Sequence, residues 1–403
     1  MRTLEPAEQI GADLSRLCDP GDRDLGTGRN RAATSFVGER MRELGLEVEE
    51  LQFDVPEWRF GSASLGVGDT QFAAHPGPFS DSCRASGRLL VVRSWQELEG
   101  LDAAGAVVLV CDEAAREPLT PRGYPFYDNP EHTALANALE TGEPVAIVAA
   151  TTSHEMAGAL SPFPLIEEPG FRIPTAYLSA ELGAELATHV GQDVSVHIES
   201  QTLPSSGVQL IGRRQGTSEA SAGVIVVSAH VDTKPETPGA IDNASGVVML
   251  LAVASLLQGR EIACGIEFVP FNGEDHTLAP GEMAYLSARQ GIKDVRLNIN
   301  IDGAGLSGAP SAYSVYGIND GLAEKLARVA ALHPDTVAEG PAWPASDHMI
   351  FAMSGVPAIA ITSSDFEAFT RVYAHTPADV PAILDAKLLA ETARFVAALI
   401  ETL

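Results

Sequence analysis

The chain has 403 residues, and its 54 Asp and Glu residues outnumber its 26 Lys and Arg residues, which gives a formal net charge of −28. Hydrophobic residues make up 45% of the sequence and charged residues 20%, a composition that excludes wholesale disorder. A charge this negative repels phosphate backbones and anionic lipid headgroups, so we expect neither a nucleic-acid partner nor a membrane partner.

Length and apolar content narrow the class of protein further. Hydrophobic cores stop growing at about 250 to 300 residues, so this length predicts two packed units, or one domain with a large insertion. The N-terminal residues contain no apolar signal-type segment, and the longest apolar stretch, at 246–257, is too short to cross a bilayer. The four cysteines form no C-x-x-C pair, which excludes a thiolate zinc site. We therefore expect a cytoplasmic enzyme or binding protein.

Predicted elements divide the chain into three stretches. Residues 1–55 are predicted to contain two helices, around PAEQIGADLSRL and NRAATSFVGERMRELG, followed by the strand LEVEELQFDV. Residues 56–204 carry short β-rich runs broken by Pro-rich stretches, which is typical of a separate, smaller domain. From residue 205 to 403, near-continuous apolar strands alternate with helices, and the last helix is predicted to run for about twenty residues from Ala382. This alternation predicts an α/β fold with a mostly parallel central sheet covered on both faces.

Acidic and histidine side chains follow the predicted strands of this last stretch, at the sheet edge where open α/β sheets place their active sites. The set comprises His230, Asp232, Asp242, Glu274, Asp275, Asp302 and His375. His230 and Asp232 are two residues apart, so their side chains point to the same face of a strand. We expect the carboxylate of Asp232 to accept the second ring N–H of His230, which would orient a ligating imidazole.

The remaining acids have competing interpretations when each is taken alone. Asp242 begins an apolar helix in GAIDNASGV, where a carboxylate often acts as an N-cap. Glu274 and Asp275 are adjacent at the end of a strand, so their side chains point to opposite sides and should have different roles. Each residue alone is more often solvated or hydrogen-bonded than a ligand, but their joint placement at strand ends favours a metal site.

Two imidazoles with Asp242, Asp275 and Asp302 supply ligands for two divalent cations, one carboxylate being shared between them. Nitrogen and oxygen ligands without thiolate fit Zn²⁺ best, with Co²⁺ or Mn²⁺ as substitutes. Glu274 is left without a cation, which suits a general base that takes a proton from water and passes it to a leaving amine.

These motifs, taken in order, resemble those of the di-zinc aminopeptidases that include bacterial leucine aminopeptidases and relatives of glutamate carboxypeptidase II. The resemblance rests on H-x-D, D-N-A-S-G, a glutamate followed by an acid, N-x-D and H-T-P-A-D. It implies the zinc-exopeptidase fold (phosphorylase/hydrolase-like), with 1–55 and 205–403 as the catalytic domain. It also implies that 56–204 is a protease-associated-like inserted domain.

Carried over by position, the resemblance implies a role for each matching residue. His230 and Asp302 would hold one zinc, Asp275 and His375 the other, and Asp242 would bridge the two, with Glu274 as the base. Two departures stand out. Asp275 occupies a position that is usually Glu, and Tyr373, a candidate for contact with substrate, lies one residue further from the histidine than the family's tyrosine, an oxyanion donor.

Further residues are weaker candidates for contact with substrate or for support of the site. Asp347 and His348, with Ser346, match the family's S-D-H segment, although an N-cap with a buried polar pair is an alternative. Trp343 could line a specificity pocket or be a packed aromatic side chain. Arg371 could bind a substrate carboxylate or be a surface cation near the acidic cluster.

The leading hypothesis is a zinc-dependent aminopeptidase acting on a peptide or another small substrate derived from amino acids. A carboxypeptidase or an N-acyl amino-acid amidohydrolase would use the same site and would anchor a carboxylate, through Arg371. A glutaminyl cyclase is a further related activity, and a catalytically inert binding homologue is the non-enzymatic alternative. The sequence leaves the oligomeric state open.

Overall fold

The computed structural model describes residues 5–218, 223–344 and 346–403. The chain divides into two compact units, Met1–Val55 with Ser206–Leu403, and Pro56–Ser205. The boundaries fall within two long strands, each of which contributes residues to both units. The assignment of the second unit to a protease-associated-like domain stays a prediction.

Strands and helices alternate along most of the chain. The strands are β1 Glu47–Val67, β2 Thr70–Pro76, β3 Cys83–Val92, β4 Val107–Val110, β5 Ala146–Thr151, β6 Thr175–Ser179, β7 Asp193–Arg214, β8 Val224–His230, β9 Gly265–Phe271, β10 Val295–Ile301, β11 Ser311–Tyr316, β12 Val337–Glu339 and β13 Ala358–Ser363. The helices are α1 Pro6–Cys18, α2 Gly28–Glu43, α3 Pro130–Thr141, α4 Ala180–Ala187, α5 Ser245–Leu256, α6 Pro280–Arg289, α7 Asp320–Ala330, α8 His348–Met353, α9 Phe366–Ala368 and α10 Ala386–Glu401. No helix within the described ranges is long and apolar enough to cross a membrane.

The first unit contains the α/β sheet that the sequence predicts. Its strand order is β7-β9-β8-β10-β13-β11-β12, and the four strands β9, β8, β10 and β13 are parallel. The prediction of an α/β fold is confirmed, while β7 and β11 run antiparallel to their neighbours β9 and β13 and make the sheet mixed. The parallel strands are almost completely buried, which explains their continuous apolar sequences.

Both faces of this sheet are covered, as alternate residues of β9 demonstrate. Ile266 and Phe268 belong to the main core, which also includes buried side chains of α1, α2, α5 and α10. Phe271, on the opposite face, packs against Tyr285 of α6 and Phe351 of α8, with ring centroids 5.3 and 6.5 Å away. The sheet is therefore held between two layers of helices, with its strand ends left at the edge.

The strands that contribute to the second unit follow the order β1-β2-β6-β5-β4-β3-β7. Its strands β3, β4, β5 and β6 are parallel, and apolar clusters lie on both sides of them. Helix α3 begins at Pro130, within the Pro-rich stretch that the sequence predicted as a break. The side chain of Asn129 caps it by accepting from the backbone N of Glu131 and His132, each at 3.2 Å.

The C-terminal helix begins four residues later than the sequence predicts, at Ala386. Asp385 is the reason, because its carboxylate accepts from the backbone N of Lys387 at 2.8 Å and of Leu388 at 3.3 Å. The preceding residues, Pro381–Ile383, form a short 3₁₀ turn instead.

Candidate metal centre

Three parallel strands bring the predicted site residues to one edge of the first unit's sheet. His230 is the last residue of β8, Asp302 directly follows β10, and Glu274 and Asp275 lie in the loop after β9. Because β8 lies between β9 and β10 and all three run parallel, their carboxyl ends meet at the same edge.

His230, Asp242 and Asp302 form a first group of close polar atoms. The Nε2 atom of His230 lies 3.1 Å from Oδ1 of Asp242 and 3.6 Å from Oδ1 of Asp302. All three residues are buried, and each offers one ligand atom within 4.8 Å of the others. A cation that binds nitrogen and oxygen could occupy the space that these atoms surround.

A second group comprises Asp242, Asp275 and His375, again with ligand atoms within 4.8 Å of one another. The Nε2 atom of His375 lies 3.2 Å from Oδ1 of Asp275 and 3.4 Å from Oδ2 of Asp242. Asp242 therefore takes part in both groups, with one carboxylate oxygen near each imidazole.

The backbone around Asp242 has an unusual conformation that presents this carboxylate. Residues Ala240–Ala244 form a single π-turn ahead of α5, and the Asp242–Asn243 peptide bond is cis. The carboxylate of Asp379 accepts from the backbone N of Ile241 at 2.6 Å and of Asp242 at 3.0 Å. Burial and, to a smaller extent, the charge of Asp242 together raise the pKa of Asp379 to about 7. Asp379 lies in the same H-T-P-A-D motif as His375, but its two backbone partners are 138 and 137 residues away, so the sequence alone does not reveal this role.

Glu274 lies beside the first group but belongs to neither. Its Oε2 atom is 4.0 Å from Nε2 of His230, and its side chain is 23% exposed. Burial raises the pKa of Glu274 well above its usual value, and the carboxylates of Asp302, Asp275 and Asp242 add to that shift. A glutamate with solvent access and a raised proton affinity suits proton transfer to and from a reacting molecule.

Asp232 has a different contact from the one that the sequence predicts. The Nδ1 atom of His230 lies 3.2 Å from the backbone O of Asp232, whereas the Oδ1 atom of Asp232 is 3.7 Å away. Both carboxylate oxygens instead accept backbone N–H groups, from Gly273 at 2.9 Å and from Asp275 at 3.1 Å. The carboxylate is thus engaged by the loop after β9, and the imidazole is oriented by a carbonyl.

Burial and neighbouring charges have opposite effects on the pKa values of His375 and Asp275. Burial disfavours a charged imidazole, yet Asp275 and Asp242 outweigh it and raise the pKa of His375 to about 9. Burial would likewise raise the pKa of Asp275, but His375 outweighs it and lowers that pKa. The ammonium group of Lys234 donates to the backbone O of Asp275 at 2.7 Å, which brings a cation to the second group.

Three of the five predicted substrate-contact residues lie in different surroundings from one another. Tyr373 is half-buried and packs against the apolar cluster that contains Phe369. Arg371 is 71% exposed and pairs with Glu367 at 3.2 Å, one helical turn away. Trp343 is only 7% exposed, so it is a packed aromatic side chain.

Asp347 and His348 lie buried behind the site, together with an acid that the sequence did not suggest. Burial raises the pKa of Asp347 well above its usual value and lowers that of His348 to about 4. Glu282 of α6 is 1% exposed, and burial raises its pKa to about 8. A Cβ atom on Gly273 would lie 3.0 Å from Oε2 of Glu282, so this acid packs against the loop that carries Glu274. The sequence context of Glu282 is that of an ordinary helical residue, so no signal marked it. Ala345, which precedes the S-D-H segment, lies outside the described residues.

The donor set suits one or two divalent cations. Within the described part of the chain, Oδ2 of Asp275 and Oδ1 of Asp302 are buried and have no hydrogen-bond partner. Buried carboxylate oxygens are costly unless a donor or a metal ion compensates them. Imidazole nitrogens with carboxylate oxygens and no thiolate are typical zinc ligands.

A protein-family model and several known proteins are similar in sequence to this chain. Residues 209–400 match the family model described as Peptidase family M28. Aminopeptidase YwaD of Bacillus subtilis (strain 168) is 24% identical over 307 residues, which cover 75% of this chain and 62% of that protein. The chain spans about 60% of the length of the curated relatives that it matches.

Solved structures of aminopeptidases have the same fold. An aminopeptidase from Aneurinibacillus sp. strain AM-1 superposes with a TM-score of 0.77 at 18% identity, covering 98% of this chain and 93% of that chain. The zinc aminopeptidase BSAP from Bacillus subtilis superposes with a TM-score of 0.72 at 20% identity, covering 99% and 95% of the two chains. Over residues 209–400, a little under half of its length, the chain is similar to peptidase family M28.

Proposed function

We propose that the protein is a metal-dependent aminopeptidase that removes the N-terminal residue of a peptide and uses two zinc ions. The observation that carries this proposal is the shared position of Asp242. Its two carboxylate oxygens face different imidazoles, at 3.1 Å from His230 and 3.4 Å from His375. A carboxylate placed in this way can bridge two cations, as in hydrolases that use a metal pair.

Each of the two groups of ligands would bind one zinc ion. His230 and Asp302 would hold one zinc, and Asp275 and His375 the other, with Asp242 common to both. Asp275 has a shorter side chain than Glu, yet its Oδ1 atom lies 3.2 Å from His375, within reach of a shared cation. When bound, zinc supplies Lewis acidity, which lowers the pKa of water and polarises a carbonyl group.

The protein's own groups would then move the proton. Glu274 accepts a proton from the attacking water and donates it to the amine that leaves when the peptide bond breaks. Asp232 maintains the position of Glu274, because its carboxylate binds the backbone N–H groups on both sides, at Gly273 and Asp275. The base therefore lies on a loop that is tied to the strand end carrying His230.

The choice of an aminopeptidase over a carboxypeptidase rests on charge. The cation considered for a substrate carboxylate, Arg371, lies on the surface and pairs with Glu367. The site itself is rich in carboxylates, which attract a protonated N-terminus in preference to a C-terminal carboxylate.

A substrate panel tests the proposal. We expect hydrolysis of an aminoacyl anilide, no hydrolysis of the matching N-acetylated anilide or of an N-acyl amino acid, and two equivalents of zinc per chain. Cleavage of the N-acyl amino acid alone would favour an amidohydrolase, and cyclisation of a glutaminyl substrate would favour a glutaminyl cyclase. Absence of bound metal, with no turnover after addition of Zn²⁺ or Co²⁺, would favour an inert binding homologue.

A further inference from the structure

Arg23 is a buried cation whose hydrogen bonds go to the backbone of the metal-site loop. Arg23 is only 1% exposed. Its Nε atom donates to the backbone O of Val231 at 2.7 Å, Nη1 to that of Pro238 at 2.6 Å and Nη2 to that of Gly239 at 2.8 Å. A buried charge is costly unless its donors are satisfied, and here three different nitrogens are.

The three carbonyl groups belong to the segment that connects the two metal motifs. Val231 follows the ligand His230 directly, and Gly239 precedes Asp242 by three residues. The guanidinium group therefore ties the start of this segment to its end. A planar guanidinium, with several donors in fixed directions, binds carbonyl groups at both ends together better than a lysine ammonium on a flexible stem does.

Local packing confirms how closely the segment folds around the guanidinium. Gly239 has a φ of +63°, and a Cβ atom there would lie 2.2 Å from Cγ2 of Thr233 and 2.8 Å from Nη2 of Arg23. The backbone N of Arg23 donates to Oγ1 of Thr233 at 2.8 Å. The backbone O of Arg23 accepts from the side chain of Asn30 at 2.9 Å, which attaches Arg23 to helix α2.

Asp379 binds the same segment through groups of the opposite kind. Its carboxylate accepts from the backbone N of Ile241 at 2.6 Å and of Asp242 at 3.0 Å. The residue is completely buried and follows the ligand His375 by four positions. Carbonyl groups of Val231, Pro238 and Gly239 thus bind a guanidinium group, and the backbone N–H groups of Ile241 and Asp242 bind a carboxyl group.

We propose that Arg23 and Asp379 are positioning residues that clamp residues 231–242 and thereby place Asp242 between the two cations. This inference rests on the proposed function. It gives the N-terminal stretch a part in positioning a metal ligand, through a hydrogen bond that joins Arg23 to Val231 across 208 residues of sequence. Residues that orient metal ligands typically change metal affinity by about 10- to 100-fold when they are replaced.

The test measures metal binding by the full-length, metal-free protein, independently of turnover. Arg23→Lys keeps the charge but loses the planar fork, and Asp379→Asn keeps one acceptor oxygen but loses the charge. We expect each variant to bind Co²⁺ about 10- to 100-fold more weakly in competition with a chelator. We also expect an altered visible absorption spectrum of the bound cobalt, because the ligand geometry changes. Arg260→Lys, a surface arginine paired with Glu401, is the matched control and should bind like the wild type.

The possible outcomes distinguish failure of the clamp proposal from failure of the proposed function. If both variants bind cobalt with wild-type affinity and spectrum, and only their unfolding temperature falls, the two residues are merely structural and the inference is overturned. If Arg23→Lys does not fold, Asp379→Asn provides the same test. Failure of the wild-type protein to bind Co²⁺ would contradict the proposed function, and the clamp with it.

Discussion

Glu274 lies beside the candidate metal centre without belonging to either ligand group, so its role can be separated from metal binding. Replacing it by Gln removes the proton acceptor and leaves the side-chain size almost unchanged. We expect Glu274→Gln to retain both zinc equivalents while kcat falls by about 10²- to 10⁴-fold, the usual contribution of a general base. Metal analysis of the purified variant and steady-state kinetics on an aminoacyl anilide measure the two quantities.

The control for this variant is Glu261→Gln, at an exposed position outside both ligand groups. It should leave kcat and metal content unchanged. Wild-type turnover by Glu274→Gln would show that another group takes the proton from water.

Asp242 is the residue that both ligand groups share. Asp242→Asn replaces one carboxylate oxygen by an amide N–H₂ group, which cannot coordinate a cation. We expect affinity for both metal equivalents to fall, because each group loses charge and one loses a ligand atom. Titration of the metal-free variant with Zn²⁺ measures this, and weakening of one equivalent alone would contradict the bridging role.

At the residue scale, sequence reasoning predicts which residues lie close together when each follows a strand of the same parallel sheet. His230, Glu274, Asp275 and Asp302 meet this condition, so their convergence follows from the topology. Hydrogen bonds between a side chain and a distant backbone group leave no such pattern in the sequence. Asp232 binds the loop after β9 across 41 and 43 residues, and only the folded chain reveals that contact.

A buried ion pair near the end of helix α3, in the second unit, makes the stability of the folded protein depend on pH. Glu140 is 5% exposed and accepts from Nη1 of Arg122 at 2.8 Å and from the backbone N of Arg172 at 2.7 Å. The hydrogen bond from Arg122 outweighs burial and lowers the pKa of Glu140 to about 2. A carboxyl group with a lowered pKa stabilises the folded state above the pKa of the unfolded chain, and this contribution is lost as pH falls towards 2.

We therefore expect Glu140→Gln to lower the free energy of unfolding by on the order of 2 kcal/mol at pH 7. The difference from the wild type should shrink as pH falls from about 4.5 to 2, because the wild-type carboxylate then becomes protonated. Urea unfolding at several pH values measures it, with Glu117→Gln at an exposed position as the control. A difference that stays constant down to pH 2 would mean that the ionised form of Glu140 contributes nothing.

At the element scale, periodicity predicts where strands and helices lie better than where they end. The predicted strand LEVEELQFDV starts one residue before β1, at Leu46, and β1 continues to Val67. The extension arises because β1 pairs with β2 beyond Pro56, through a register that sequence alone does not specify. The end of a helix depends on single side chains, and Asp385 moves the start of α10 to Ala386. Such caps are visible in the sequence as candidates, but several polar residues compete for each one.

For the molecule as a whole, the net charge of −28 is concentrated in part at the candidate metal centre. Six carboxylates lie in or beside it, and those of Asp232, Asp242, Asp302 and Asp379 belong to residues that are at most 6% exposed. Such crowding destabilises the folded state unless cations compensate it. The protein should therefore depend on bound metal for stability as well as for activity.

We expect removal of zinc to lower the free energy of unfolding by about 2.7 kcal/mol relative to the protein in zinc at one hundred times its dissociation constant. At a fixed zinc concentration the loss should grow as pH rises, because zinc must displace a proton from each imidazole and the pKa of His375 is raised to about 9 in the metal-free protein. Below that pKa, protons compete with zinc for His375, so the stabilisation by zinc should increase from pH 6 towards pH 9. Thermal unfolding of zinc-loaded and chelator-treated protein across this range measures the difference, and Asp242→Asn should show a much smaller one. Equal unfolding temperatures with and without zinc at every pH would mean that the buried carboxylates need no cation, and that the charge of the site is compensated by protons alone.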